Sequence, residues 1–234
     1  MRFDMCRRFC LLLSKFFNIM PTQTQALRMH EEAVVQINRQ IPVGPMELKF
    51  SRRLSEQELL AFSAENKHLR IEQDKNGTLL IMPPLDFDGG IREGRAYGYL
   101  FAWWLTHQQG VVCSPNAGFK LPDTSTRAAD ASWISAEKVA ELSPDERKKF
   151  ARIVPDFVIE VRSTSDRLAK LKKKMTDTWI KNGVRLAWLI DPIDQKAYVY
   201  RLNGSTETLS GLHHVLNGEE VCPGLEMDLG KICP

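Results

Sequence analysis

The 234-residue sequence contains no Cys-x-x-Cys pair; its five cysteines, Cys6, Cys10, Cys113, Cys222 and Cys233, are an odd and scattered set. That spacing argues against a zinc site or a disulfide framework and for reduced thiols in a cytoplasmic protein. No Gly-x-Ser-x-Gly, Walker or dinucleotide-binding signature occurs, which disfavours acyl transfer and nucleotide-cofactor chemistry. Histidine is scarce, and His213-His214, between Gly211 and Asn217-Gly218 without acids at ligand spacing, reads as loop surface. Long apolar runs are missing as well. In the first twenty residues Cys10-Leu11-Leu12-Leu13 is broken by Ser14 and Lys15, too short to span a membrane, and no small-residue cleavage site follows. Net charge is only +3, which permits a polyanionic partner without demanding one.

What is present suffices for one substantial core: 43% of the residues are hydrophobic. Residues 1–45 read as an N-terminal extension, flexible or a surface helix, closed by Pro42, Gly44 and Pro45. From Met46 to residue 234 the chain reads as one α/β unit without linker or repeat. Ser55, with Glu58 three residues on, predicts a capped helix start. Leu69–Glu72 and Thr78–Met82 around Lys75-Asn76-Gly77 predict a hairpin. After Gly89-Gly90, Tyr97, Leu100, Phe101 and Trp104 recur at helical spacing and are expected in the core, with Glu93 one turn earlier looking inward. The charged stretch 136–150 predicts a solvated loop.

The most informative stretch is Pro155-Asp156-Phe157-Val158-Ile159-Glu160-Val161-Arg162-Ser163, which places two carboxylates in an otherwise buried strand. With a period of two, Asp156, Val158, Glu160 and Arg162 share one face. Burying a lone carboxylate is costly, so Glu160 must be paired, protonated or bound to a cation. A third acid, Asp130, lies in a second strand-like run, Ala129–Ile134. If the strands are neighbours the acids converge, and two carboxylates at about 4 Å repel by roughly 4 kcal/mol at an effective dielectric of about 20. A divalent ion removes that cost, and oxygen-only ligands favour Mg²⁺ or Mn²⁺ over zinc. In the competing reading Asp130 and Asp156 are strand-edge acids and Glu160 pairs with Arg162 or another base.

The next helix carries Lys170, Lys172, Lys173 and Lys174. Asp166 is its expected cap, Leu168, Leu171, Met175 and Trp179 its apolar stripe, and Gly183 its stop. Lys172 and Lys174 flank the stripe, whereas Lys170 and Lys173 point away. A buried strand, Leu186–Ile190, follows, turned at Asp191-Pro192 into Ala197–Arg201.

Asp130 in AADASWIS, then PDFVIEVRSTSDRL, KKKMTDTWIKNGVRLAWLIDP and YVYR resemble the Uma family of restriction-endonuclease-like proteins, a branch of the PD-(D/E)XK nuclease superfamily. The resemblance runs from about Phe50 to the end and includes NGTLLIMPP, GFKLPD and PGLEMDL. It implies an α/β fold with a restriction-endonuclease-like mixed β-sheet flanked by helices. It also implies a Mg²⁺-dependent endonuclease acting on DNA, with Asp130 and Glu160 as metal ligands, Asp156 as a supporting acid and Lys174 as the catalytic lysine. Arg162 stands where the superfamily usually has its lysine; a guanidinium stays protonated, so it could clamp a phosphate but not act as a base. Ala129 replaces the usual proline before the first acid. Lys170, Lys172, Lys173 and Arg162 are the expected nucleic-acid contacts, and a homodimer is compatible with such a fold. The alternative is an inactive nucleic-acid-binding or regulatory protein that keeps the nuclease fold.

Overall fold

Side-chain alternation along two strands organises the molecule, seen in a computed structural model that describes residues 46–233. The expected extension over residues 1–45 lies outside the described residues. Strand β8 (Phe157–Val161) sends Phe157 and Ile159 into one hydrophobic cluster and Val158 into a second. Its parallel neighbour β9 (Leu186–Asp191) likewise gives Leu186, Trp188 and Ile190 to the first cluster and Ala187 and Leu189 to the second. A strand covered on both faces reads as a continuous apolar run, and each residue of β9 is buried.

These two strands are the centre of a six-stranded mixed sheet. Its order is β11 (Thr206–Ser210), β10 (Lys196–Arg201), β9, β8, β7 (Ala131–Ile134) and β4 (Val111–Cys113), with all pairs antiparallel except β8 and β9. A second, antiparallel sheet runs β1 (Met46–Leu48), β3 (Leu79–Met82), β2 (Arg70–Gln73), β6 (Thr126–Arg127) and β5 (Phe119–Lys120). Strands β12 (Val215–Asn217) and β13 (Glu226–Asp228) form a small ribbon. The hairpin read from Lys75-Asn76-Gly77 is present as β2–β3, with Gly77 at φ +87, where a glycine is at ease.

Helix α1 (Glu56–Glu65) begins with the expected capping box: Ser55 accepts from the Glu58 amide and Glu58 accepts from the Ser55 amide. Helix α2 (Phe87–His107) starts before Gly89-Gly90, because the Asp86 carboxylate caps it by accepting from the Gly89 amide at 2.6 Å. The expected core stripe is rotated. Leu100 is buried together with Ala96 and Trp103, Tyr97 and Trp104 pack partly buried against the same cluster, and Phe101, stacked on both, is 37% exposed. Residues 136–150 are not simply loop: Ser135 caps a short helix, α3 (Ala136–Ala140), and a 3₁₀ turn follows at Glu146–Lys148.

Helix α4 (Leu168–Lys174) is followed by a π-helical turn at Met175–Trp179 and a 3₁₀ turn ending at Gly183, whose φ is +106. Asp166 does not cap α4; its carboxylate accepts from the amide and hydroxyl of Ser163 instead. Among the described residues no helix is long and apolar enough to cross a membrane.

Candidate active site

Antiparallel pairing of β7 with β8 sets Ala131 opposite Ile159, so one step further along the ladder Asp130 faces Glu160. Opposed residues on neighbouring strands stand about 5 Å apart at Cβ. Asp130 is buried, accepting from the Val161 amide at 2.7 Å and from Arg70 Nη1 at 3.0 Å. Glu160, only 3% exposed, has Lys174 Nζ 2.8 Å from its Oε1, and the Trp179 indole donates to the same oxygen at 2.8 Å. Glu93 reaches in from α2, with its Oε2 3.5 Å from Arg70 Nη1.

The second sheet supplies groups that sequence reasoning missed. From β2, Arg70 joins Asp130 to Glu93, and Glu72, 1% exposed, receives Arg127 Nη1 at 2.9 Å, the Ala128 amide at 3.3 Å and Lys174 Nζ at 3.3 Å. Lys174 also donates to the Ala128 carbonyl at 3.2 Å. The alternation Arg70-Ile71-Glu72 inside a half-buried strand was the available signal, since two charges on one strand face need partners. By its apolar periodicity Trp179 counts only as core packing, because the π-turn that redirects it leaves no mark in that pattern.

Four carboxylates, Asp130, Glu160, Glu93 and Glu72, thus face three bases, Arg70, Lys174 and Arg127, leaving the cluster one cation short. Burial, with the neighbouring Asp130 carboxylate, holds Glu93 above the ordinary carboxylate range. Burial also raises Glu160, and Asp130 and Glu72 reinforce the effect against the opposing pull of Lys174. Glu72 goes the other way: burial opposes its charge, but Lys174, Arg127 and Arg70 hold it down to about 2. Lys174 is likewise opposed by burial, yet Glu160 and Glu72 keep its ammonium above the ordinary lysine value.

The donor set suits a hard divalent ion, because Asp130, Glu160 and Glu93 offer oxygen without nitrogen or sulfur. Among the described residues no three acids, histidines or cysteines already converge as a metal cage, since Arg70 and Lys174 lie between the carboxylates. Mg²⁺ needs no such cage; one or two carboxylates and several waters satisfy it. Residues Asp130 and Glu160, with Glu93 beside them, therefore fit the group that the family resemblance implies.

The cluster lies in a cleft of about 1000 Å³ between the two sheets and the N-terminal part of α2. Lys170 and Lys173 line this cleft from α4, both exposed, with Lys170 also 3.1 Å from Glu47. Three expected site residues stand elsewhere. Asp156 is at the far end of β8 from Glu160, roughly 13 Å away at about 3.3 Å per residue. There it accepts from the Ser135 amide at 2.9 Å and pairs with Lys138 at 2.8 Å, so it joins α3 to the sheet. Arg162 directly follows the last residue of β8, and its guanidinium is taken by Asp191 at 2.9 Å and Asp194 at 3.1 Å. Lys172 lies over the Tyr198 ring, 3.9 Å from its centroid, on the other flank of the helix from Lys174.

No curated protein matches the chain. Among solved structures, the crystal structure of a putative nuclease belonging to DUF820 from Anabaena variabilis is similar, at 18% identity and a TM-score of 0.59. That match covers 69% of this chain and 88% of the other, and at such identity it speaks for the fold alone. The model of the Uma2 family, described as putative restriction endonuclease, matches residues 56–230, well over half of the sequence. The chain belongs to the Uma2 family of putative restriction endonucleases.

Proposed function

We propose that this protein is a Mg²⁺-dependent endonuclease that hydrolyses phosphodiester bonds in DNA, with Mn²⁺ as a substitute. The observation that carries the reading is the β7–β8 register, which sets Asp130, just before β7, toward Glu160, with Lys174 2.8 Å from Glu160, inside a cleft lined by further lysines. Asp130 and Glu160 would hold the ion, Glu93 supporting them from α2. An ion held there would supply an activated water and offset charge on the scissile phosphate. Lys174 stays protonated, so it orients the attacking water or stabilises the charge that builds on the phosphate, and does not accept a proton. Glu72 and the Ala128 carbonyl keep its ammonium on the cleft side of the helix. Lys170 and Lys173 attract the polyanion, in a manner sensitive to salt. Arg70 limits repulsion among the acids until the ion arrives. A DNA substrate, and the free thiols at Cys113, Cys222 and Cys233, suit work in the cytoplasm.

The test is cleavage of supercoiled and linear DNA with Mg²⁺, Mn²⁺ or EDTA. Cleavage should require metal and disappear in Asp130→Asn and Glu160→Gln at unchanged folding. Salt-dependent DNA binding without cleavage would instead make the protein a nucleic-acid binder on a nuclease fold. Loss of both would leave the acids as structural ion pairs.

A further inference from the structure

Residues five apart in a regular α-helix point about 140° away from each other, at about 100° per residue. A π-turn, which closes from residue i to i+5, brings them back to one face. The chain is π-helical over Met175–Trp179, directly after Lys174. Lys174 and Trp179, five apart, reach a single atom: the ammonium and the indole N–H each lie 2.8 Å from Glu160 Oε1. Trp179 is fully buried. Its bond differs in kind from those of the other indoles. Trp103, Trp104 and Trp133 donate to the backbone carbonyls of Pro223, Gly110 and Gln109, and the Trp188 N–H has no partner. Core packing explains a buried tryptophan; it does not explain why the helix widens for one turn at the place that aims the N–H at a buried carboxylate. Both bonds fall on Oε1, so the plane of the Glu160 carboxyl is set and its second oxygen is the one left for a cation.

We propose that Trp179 is a positioning residue for Glu160: by pinning Oε1 beside Lys174 it presents Oε2 to the divalent ion, and the π-turn serves to make that grip. The inference rests on the metal-dependent reading of the site. Partners that orient a ligand in this way typically account for about 10–100-fold in metal affinity.

The test uses the full chain and Trp179→Phe, which keeps an aromatic ring and removes the N–H. Calorimetric titration with Mn²⁺ should give a dissociation constant about 10–100-fold weaker than wild type. The Mn²⁺ concentration for half-maximal cleavage should rise by a similar factor while KM for DNA stays put. A lower melting temperature with unchanged Mn²⁺ affinity would make Trp179 a packing residue and overturn the inference. A wild-type chain that neither binds Mn²⁺ nor cleaves would remove the metal-dependent reading itself. Should Trp179→Phe not fold, the indole N–H resonances of the ¹⁵N-labelled wild type decide. One of the five must move with Mg²⁺ saturation, and no movement overturns the proposal.

Discussion

Under the proposed function Lys174 and Arg162 are the two candidates for one chemical role, and their surroundings differ. Lys174 Nζ is held among Glu160, Glu72 and Ala128, whereas Arg162 is spent on Asp191 and Asp194. Lys174→Met, which keeps the aliphatic stem, is expected to lower turnover by roughly 10²-fold with DNA binding nearly unchanged. Lys173→Ala should only weaken binding and flatten its salt dependence. An inactive Arg162→Ala beside an active Lys174→Met would return the role to the strand. Glu72 permits a pH test. Its folded value near 2 lies below the ordinary 4.5, so its contribution is complete above pH 4.5 and is lost as pH falls towards 2. Glu72→Gln leaves Arg127 and Lys174 without their buried partner and should cost about 3 kcal/mol near neutrality. In urea denaturation the gap to wild type should narrow by about 1.4 kcal/mol per unit as pH falls below 4.5. A gap that widens on acidification would refute the assignment.

At the scale of elements, the site depends on how helices begin and end. Asp86 caps α2, which carries Glu93, and its second oxygen accepts from the Thr164 hydroxyl at 2.9 Å in the loop after β8. Asp86→Ala should lower the midpoint in denaturant melts, because the cap is lost. Gly183 ends the segment bearing Lys174 and Trp179 at φ +106, with nothing within 4 Å of an added Cβ. Gly183→Ala therefore tests backbone strain alone and should destabilise by about 1 kcal/mol. No destabilisation would mean that the turn relaxes into another conformation. Asp156 is placed at this scale, because its carboxylate binds the Ser135 amide and Lys138. Asp156→Ala should cost roughly 2 kcal/mol, by loss of the Ser135 amide bond and the Lys138 pair, while turnover per folded molecule holds.

For the whole molecule, the two hydrophobic clusters on opposite faces of the six-stranded sheet are built among the described residues, and strand β1 begins at Met46. A chain begun at Met46 is expected to stay soluble and to melt in one cooperative transition. Aggregation or a large drop in melting temperature would show that earlier residues pack on this core. The separation of the acid cluster from the lysines that line its cleft also has a consequence at this scale. DNA affinity should fall steeply with salt, whereas occupancy of the buried acids by Mn²⁺ should respond far less.

Local patterns were enough to read much of this protein from its sequence. Period-two alternation gave away β8 and its buried Glu160, the capping box gave away α1, the Asn-Gly turn marked the β2–β3 hairpin, and the ordered motifs pointed to the nuclease fold. Each of these signals lies within a short window, where backbone periodicity and cap chemistry act. The site itself is assembled across such windows. Glu72 and Arg70 enter from a different sheet, Lys174 is selected from four lysines by two acids remote in sequence, and Asp156 and Arg162 leave the site because their nearest partners, Lys138 and Asp191, lie elsewhere. Which buried charge meets which partner is an electrostatic question about the folded interior. Only strand register, the end of β8 and one widened helical turn could decide it.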